Sequence, residues 1–302
     1  RVHHRVDRRQ RQMCIRDRDM ASPHNTPIFA VKKPHSNDLR LVQDLRALNE
    51  NVENFLHPIL DIPSCMAKLG GLQAKYFAAI DLTSGFYQLE LDPSSQPLTA
   101  FTVPGKGRFS WTVSTMGLKT SPGAFSRLME HVMQPVKRSV TYMDDVILAG
   151  STPSELLESI EEAMRQLRKF NLKINLKKCT FGTKEVDYLG YRISAEGAKP
   201  GKEKTEAVIN FPAPTTVQEV RRFLGMANYF RSHIRHFSQL TQPLTKLTRK
   251  DTTWTEGEEL PEEAKRAFMK IRRALASEPV TALPRRNLPF ILETDGSGEG
   301  LG

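Results

Sequence analysis

Val140-Thr141-Tyr142-Met143-Asp144-Asp145-Val146-Ile147-Leu148-Ala149 reads as two short apolar runs, Val140–Met143 and Val146–Ala149, joined by a pair of carboxylates. That is the pattern of a tight β-hairpin. Aspartate is common in turns because its side chain bonds the nearby backbone. A two-residue hairpin turn nevertheless prefers Asn-Gly or Asp-Gly, since its central residues take positive φ. Asp144-Asp145 meets that demand poorly and sets two like charges side by side. A bound cation would relieve both problems. Asp81 closes another apolar run, Phe77-Ala78-Ala79-Ile80, and would project its carboxylate from a strand end. If that strand lies beside the hairpin, Asp81, Asp144 and Asp145 converge. Three hard oxygen donors suit two Mg²⁺ ions that keep positions open for phosphate and water. Two such ions about 4 Å apart can activate an attacking hydroxyl and stabilise the leaving oxygen of an in-line phosphoryl transfer.

Working outward from the hairpin, Tyr76–Leu82 reads as a buried strand and Tyr87–Leu91 as a half-buried one. Ile28–Lys33 and Leu39–Gln43 form strand, turn, strand, and Thr99–Val103 and Phe109–Val113 flank a Pro-Gly-Lys-Gly turn. Ser121-Pro122 opens a helix with serine as N-cap, ending near Pro135. Thr152-Pro153 opens the next, with Leu156, Leu157, Ile160, Met164 and Leu167 as its buried stripe. Past Lys199 the pattern turns helical. Thr216 and Glu219 form a capping box ahead of Val220, Phe223, Leu224 and Ala227. Pro261 starts a helix that buries Ala264, Ala267, Phe268, Ile271 and Leu275. Phe290–Glu293 is a strand again, and the chain stops in Gly-rich sequence, which reads as truncation. Mixed strands and helices in this order predict an α+β fold.

The chain has 302 residues, 39% of them hydrophobic, which is enough for a packed core and suggests about two domains. Its formal charge of +10 favours a polyanionic partner. No run approaches the ~20 apolar residues of a spanning helix, and no apolar segment follows the basic N-terminus as in a secretory signal. Cys14, Cys65 and Cys179 show no paired spacing, so a disulfide framework or zinc site is not expected. His3-His4 and His233/His236 lack ligand partners at useful spacing. A reducing intracellular compartment is the expectation that remains. Residues 1–20 carry seven arginines and little apolar periodicity, and they read as an artefactual or disordered arm. A genuine nucleic-acid-binding arm is the alternative.

Tyr142-Met143-Asp144-Asp145 resembles the YxDD motif of reverse transcriptases. Val31-Lys32-Lys33-Pro34, Arg40-Leu41-Val42-Gln43-Asp44-Leu45-Arg46, Asp81-Leu82-Thr83-Ser84-Gly85-Phe86-Tyr87-Gln88, Gly117-Leu118-Lys119-Thr120-Ser121-Pro122-Gly123-Ala124-Phe125 and Tyr188-Leu189-Gly190-Tyr191 resemble that family's other motifs, in order. The resemblance covers roughly residues 24–302 and is strongest to the gypsy-type LTR retrotransposon enzymes, with phrases similar to gammaretroviruses.

The resemblance implies a right-hand polymerase fold with fingers, ferredoxin-like palm and helical thumb. Fingers and palm would span 21–198 and the thumb 199–284, with 285–302 opening an RNase H-like or connection domain. Asp81, Asp144 and Asp145 match the aspartates that bind two Mg²⁺ ions, with Mn²⁺ able to substitute. Lys33 and Arg40 match the residues that hold the incoming triphosphate; without the family they would read as solvated strand charges. Phe86 matches the steric gate against a 2′-hydroxyl, and a core aromatic is the bland reading. Met116 stands where retroviral enzymes have glutamine, and so becomes a wall of the nucleotide pocket. Arg46, which shares a strand face with Asp44, falls in a region that touches the template; a structural ion pair with other groups is the alternative. Tyr142 and Met143 belong to the catalytic hairpin, and Leu189, Gly190 and Tyr191 match the primer grip. Asp295 resembles the first metal-binding aspartate of an RNase H domain whose remaining carboxylates are absent, so no such activity is expected.

The implied partners are an RNA or DNA template with its primer, dNTPs, and the rest of a Pol polyprotein (RNase H and integrase) in cis, with no membrane. The implied place is the cytoplasm, within virus-like particles. Alternatives are a catalytically silent nucleic-acid-binding subunit, a decayed element copy, or an RNA-directed RNA polymerase, which Phe86 and the YxDD motif oppose. Residues 165–250 hold 18 basic against 6 acidic residues, so the basic excess falls in the late palm, primer grip and thumb.

Overall fold

A computed structural model of the protein describes residues 15–17, 22–32, 39–277, 281–283, 289, 296–297 and 300–301. Lys33, Asp295, the strand expected over Phe290–Glu293 and most of the N-terminal arm lie outside the described residues.

The elements run β1 (Ile15–Asp17), β2 (Ile28–Lys32), β3 (Leu39–Gln43), α1 (Arg46–Asn51), α2 (Ile62–Gly71) and β4 (Tyr76–Asp81). Next come β5 (Phe101–Val103), β6 (Gly107–Trp111), α3 (Ser121–Met133), β7 (Ser139–Tyr142), β8 (Asp145–Gly150) and α4 (Pro153–Lys169). Strands β9 (Thr180–Thr183), β10 (Glu185–Tyr188), β11 (Tyr191–Ser194) and β12 (Gly197–Pro200) follow. Helices α5 (Lys202–Ile209), α6 (Val217–Asn228), α7 (Phe237–Lys246) and α8 (Glu262–Ala276) come last, before the short pair β13 (Gly296–Ser297) and β14 (Gly300–Leu301). The expected α+β class holds. The chain groups into two compact units: Arg1–Asp61, Ile80–Leu148 and Leu157–Cys179 in the first, and Ile62–Ala79, Ala149–Leu156 and Thr180–Gly302 in the second.

In the first unit, β2 and β3 pair antiparallel, as do β5 and β6. Phe101, Trp111 and Val113 are buried against Ile28, Leu41, Tyr87, Leu91, Val103 and Phe109. The buried Gln43 is a polar node in this unit. Its amide donates to Thr26 Oγ1 and to Thr99 O (2.8 Å), and accepts from Trp111 Nε1 at 2.9 Å. A buried amide must find such partners or cost stability. Ile15–Asp17, inside the arm expected to lack structure, pairs antiparallel with β6.

In the second unit, α5 to α8 surround one apolar cluster that includes Phe223, Phe230, Leu244, Phe268 and Ile271. The stripe expected on α8 is buried in full, from Ala264 to Leu275. The strands β10, β11 and β12 form an antiparallel sheet in sequence order. The catalytic candidates Asp81, Asp144 and Asp145 belong to the first unit, at the ends of β4 and β8, neighbours in the strand order β7-β8-β4-β9.

Three local expectations are corrected, and one at α6 is met. Tyr87–Leu91 is not a strand. Ser84 turns left-handed (φ 54°) and Gly85–Gln88 forms a 3₁₀ turn, leaving only an isolated bridge at Glu90–Val113. Ser121 is the first helical residue of α3 rather than its cap, because its hydroxyl pairs inward with Ser114 Oγ at 2.5 Å and Thr115 O at 3.2 Å. Leu157 is 55% exposed, and the buried stripe of α4 runs instead through Leu156, Ser159, Ala163 and Leu167. At α6 the expected box forms: the Thr216 hydroxyl accepts from Glu219 N (3.2 Å), and the Glu219 carboxylate accepts from the Thr216 backbone and also from Thr215 N (2.8 Å).

Candidate active site

Two buried strands fix where the aspartates emerge. Phe77, Ala78 and Ile80 of β4 are no more than 2% exposed, and Val146 to Ala149 of β8 no more than 1%. The antiparallel ladder of β7 and β8 sets the register, with Ser139 opposite Leu148 and Val140 opposite Ile147. Asp81 ends β4, and Asp145 is drawn into the ladder opposite Tyr142. The turn is then Met143-Asp144, one residue earlier than Asp144-Asp145. Met143 takes the positive φ of 53°. A non-glycine residue held there costs on the order of 1–2 kcal/mol, so the hairpin tip carries strain beside the carboxylates.

The three acids share one electrostatic cluster. Packing around the Asp145 carboxyl pushes it up to about 6, the charges of Asp144 and Asp81 push the same way, and the Lys178 ammonium opposes them. The Asp145 side chain is nevertheless exposed, so solvent screens part of this repulsion. Lys178 Nζ stands 3.4 Å from Asp81 Oδ2. Among the described residues, no three acidic, histidine or cysteine side chains stand close enough to share an ion in this conformation. The donor set still fits a hard divalent cation. It consists of carboxylate oxygens only, and its mutual repulsion is the kind that a cation cancels.

Phe86 sits in the 3₁₀ turn that follows Asp81. Its ring meets Phe125 edge-on, with centroids 5.8 Å apart. Gly85 permits this closeness, since a Cβ there would lie 3.0 Å from Phe125 Cζ and 3.2 Å from Asp144 Cβ. Phe86, Asp144 and the core of α3 are thus packed around one missing methyl group. Met116 is partly buried in the loop after β6, next to Gly117 at φ 100°. The Asn49 amide clamps this loop, donating to Gly117 O at 2.7 Å and accepting from Lys119 N at 2.9 Å.

Arg46 and Asp44 do not share a strand face. β3 ends at Gln43, and Arg46 opens α1. The guanidinium grips Asp44 through Nε (3.0 Å) and Nη2 (2.7 Å), and this hydrogen bonding holds the Asp44 carboxyl down at about 2. Arg46 remains 88% exposed, open to a phosphate. The backbone of Arg40 lies in β3; its side chain lies outside the description.

Leu189, Gly190 and Tyr191 belong to the second unit. Leu189 and Gly190 form a two-residue turn with φ of 50° and 80° between β10 and β11. Tyr229 Oη donates to Leu189 O at 2.6 Å, and Gly201 N donates to Gly190 O at 2.9 Å, so the tip is held from behind. Tyr191 is 8% exposed and its ring stacks with those of Tyr229 and His233, each 5.5 Å away.

Sequence reasoning missed Asn49, Gln88, Lys178 and Tyr229. Gln88 falls in the run expected as a half-buried strand, where a 3₁₀ turn forms instead. Lys178 is one of many lysines in a basic run. Their roles rest on contacts with residues 40 to 97 positions away, for which no local signal exists.

The family described as "Reverse transcriptase (RNA-dependent DNA polymerase)" matches residues 31–193. The Pol polyprotein of the Drosophila melanogaster transposon 297 is 35% identical over 94% of the chain, and that of transposon gypsy 32% over 94%. The chain spans under a third of these relatives, 27% and 29% of their lengths. Among solved structures, foamy viral protease–reverse transcriptase in complex with dsDNA aligns at a TM-score of 0.82 with 27% identity, covering 96% of this chain and 59% of that one. The same enzyme in complex with an RNA/DNA hybrid aligns at 0.78 with 28% identity, covering 92% and 37%. The polymerase fold expected from the sequence is the fold of these neighbours.

Proposed function

The chain belongs to the reverse transcriptase family, and from that premise we propose that it is an RNA-directed DNA polymerase within a longer retroelement Pol polyprotein. The observation that carries this reading is the placement of the three acids: Asp81 ends β4, Asp145 opens the neighbouring β8, and Asp144 lies in the turn before it. In the proposed reaction the primer 3′-hydroxyl oxygen bonds to the α-phosphorus of a dNTP. The bond from that phosphorus to the β-bridging oxygen breaks, pyrophosphate leaves, and the hydroxyl proton passes to solvent. Asp81, Asp144 and Asp145 would hold two Mg²⁺ ions, or Mn²⁺ in their place, which when bound activate the hydroxyl and stabilise the leaving oxygen.

The remaining roles belong to the chain itself. Lys33 and Arg40 neutralise the triphosphate, a point charge and a planar fork against its oxygens. Phe86 fills the space that a ribose 2′-hydroxyl would need, and Met116 walls the nucleotide pocket. Tyr142 and Met143 face the primer end, Leu189 and Gly190 position it, and Arg46 meets the template backbone. A template of RNA or DNA with its primer is the partner, gripped by the basic excess over 165–250. Neighbours in this family have been solved with dsDNA and an RNA/DNA hybrid. We assign fingers and palm to 21–198, the thumb to 199–284, and the start of an RNase H-like or connection domain to 285–302. RNase H and integrase are expected in cis, and cytoplasmic virus-like particles are the expected setting. Primer extension on an RNA template with Mg²⁺ and dNTPs tests the proposal. Extension that Asp144→Asn abolishes supports it; no extension by folded protein sinks it.

A further inference from the structure

The turn that carries Phe86 is closed by one side chain. Gln88 Nε2 donates to Thr83 O at 2.8 Å and to Lys173 O at 3.0 Å, while Gln88 Oε1 accepts from Lys173 N at 2.7 Å. Thr83 N also donates to Lys173 O, at 2.9 Å. The neighbouring rungs are backbone pairs: Leu82 bridges Ile174, and Asn175 N donates to Asp81 O at 2.8 Å. Gln88 therefore adds a rung to this ladder with its side-chain amide, which carries donor and acceptor together as a peptide group does. Both ends of the 83–88 turn are thereby tied to the peptide of Lys173.

This tie restrains a strained segment. Ser84 lies at φ 54°, a conformation that costs a non-glycine residue energy and persists only where the surroundings enforce it. The turn is tight, with Tyr87 N bonded to Ser84 O at 2.9 Å and Leu89 N to Phe86 O at 3.1 Å. A displacement at Gln88 therefore passes to the Phe86 ring two residues away. On the other side, the ring rests edge-on against Phe125.

We propose that Gln88 is the positioning residue that sets the Phe86 ring in place and so determines the choice between deoxy- and ribonucleotides. The proposal rests on the reading of Phe86 as the gate. Gln88→Leu keeps the bulk and removes all three bonds. The ratio of kcat/KM for dNTP over rNTP should fall about tenfold, as expected when bonds worth a fraction of that ratio each are lost together. The change should appear mainly as a lower KM for the ribonucleotide. Gln88→Glu is the second variant. It keeps length and the acceptor for Lys173 N, but sets a carboxylate against two carbonyls, and should move the ratio the same way.

A purely structural role would slow both nucleotides equally and leave the ratio at its wild-type value, which would overturn the proposal. A melting curve establishes that each variant is folded, and if the leucine variant is not, the glutamate variant decides. Phe86→Val separates the two claims. If it relaxes sugar choice while both Gln88 variants keep it, the gate stands and the role of Gln88 is refuted. If Phe86→Val changes nothing, the gate reading itself fails.

Discussion

Gly85→Ala adds one methyl group at the most crowded point of the site. The new Cβ would lie 3.0 and 3.2 Å from Phe125 Cζ and Cε1 and 3.2 Å from Asp144 Cβ, where ordinary contacts begin near 3.4 Å. The glycine is not at a left-handed φ, so its backbone accepts alanine and the conflict is with neighbours alone. Phe125 is fully buried and cannot retreat, whereas Asp144 sits on an exposed turn and can. Overpacking costs about 1–3 kcal/mol, and the stiffer unfolded chain returns about 0.4–1 kcal/mol. A net loss of about 1–2 kcal/mol should lower Tm by roughly 2–8 °C. Asp144 should shift by a few tenths of an ångström. If 1 Å of misplacement costs about a hundredfold, this shift should slow single-nucleotide incorporation about three- to tenfold. Melting curves and single-turnover primer extension read the two effects. A wild-type rate, with or without a lower Tm, would refute the claim that this glycine keeps Asp144 in register.

Two further outcomes follow from the geometry. Tyr229→Phe removes the 2.6 Å bond to Leu189 O while keeping the ring stack on Tyr191. It should cost about 1 kcal/mol and raise KM for the primer–template more than it lowers kcat, as steady-state kinetics can check. The raised Asp145 carboxyl sets a pH dependence. The metal-free folded protein binds more protons there than the unfolded chain between about 4 and 6, so its stability should fall as pH rises through that window. Divalent-ion binding should strengthen as pH rises through 6. Asp145→Asn should flatten both trends, and Lys178→Met, by removing the opposing charge, should move the window upward. Melts in EDTA and Mn²⁺ titrations followed by EPR report the two quantities.

The legible parts of this chain were those written in local pattern. The stripe of α8 and the β5–β6 hairpin follow from periodicity and turn residues, and the structure matches them. Asp144 and Asp145 stood out because two adjacent acids in an apolar hairpin conflict with local stability, and Asp81 because it closes an apolar run. Register was not legible. The turn falls on Met143-Asp144 because Tyr142 pairs with Asp145, and an apolar run buried on both faces does not announce that register. Gln88 illustrates the same limit: alternation suggested a strand, yet Ser84-Gly85 breaks it and the amide completes a ladder with Lys173, 85 positions away. The stacking of Tyr191 with Tyr229 and His233 was not legible either, since those rings lie 38 and 42 positions away.

Single-nucleotide incorporation on an RNA template, with wild type and Asp144→Asn compared at saturating Mg²⁺, tests the central claim most directly. The account predicts template-dependent addition by the wild type and a loss of about a thousandfold or more in the variant, because an unreplaced carboxylate leaves the reacting oxygens unstabilised. Equal incorporation by the two proteins would contradict it.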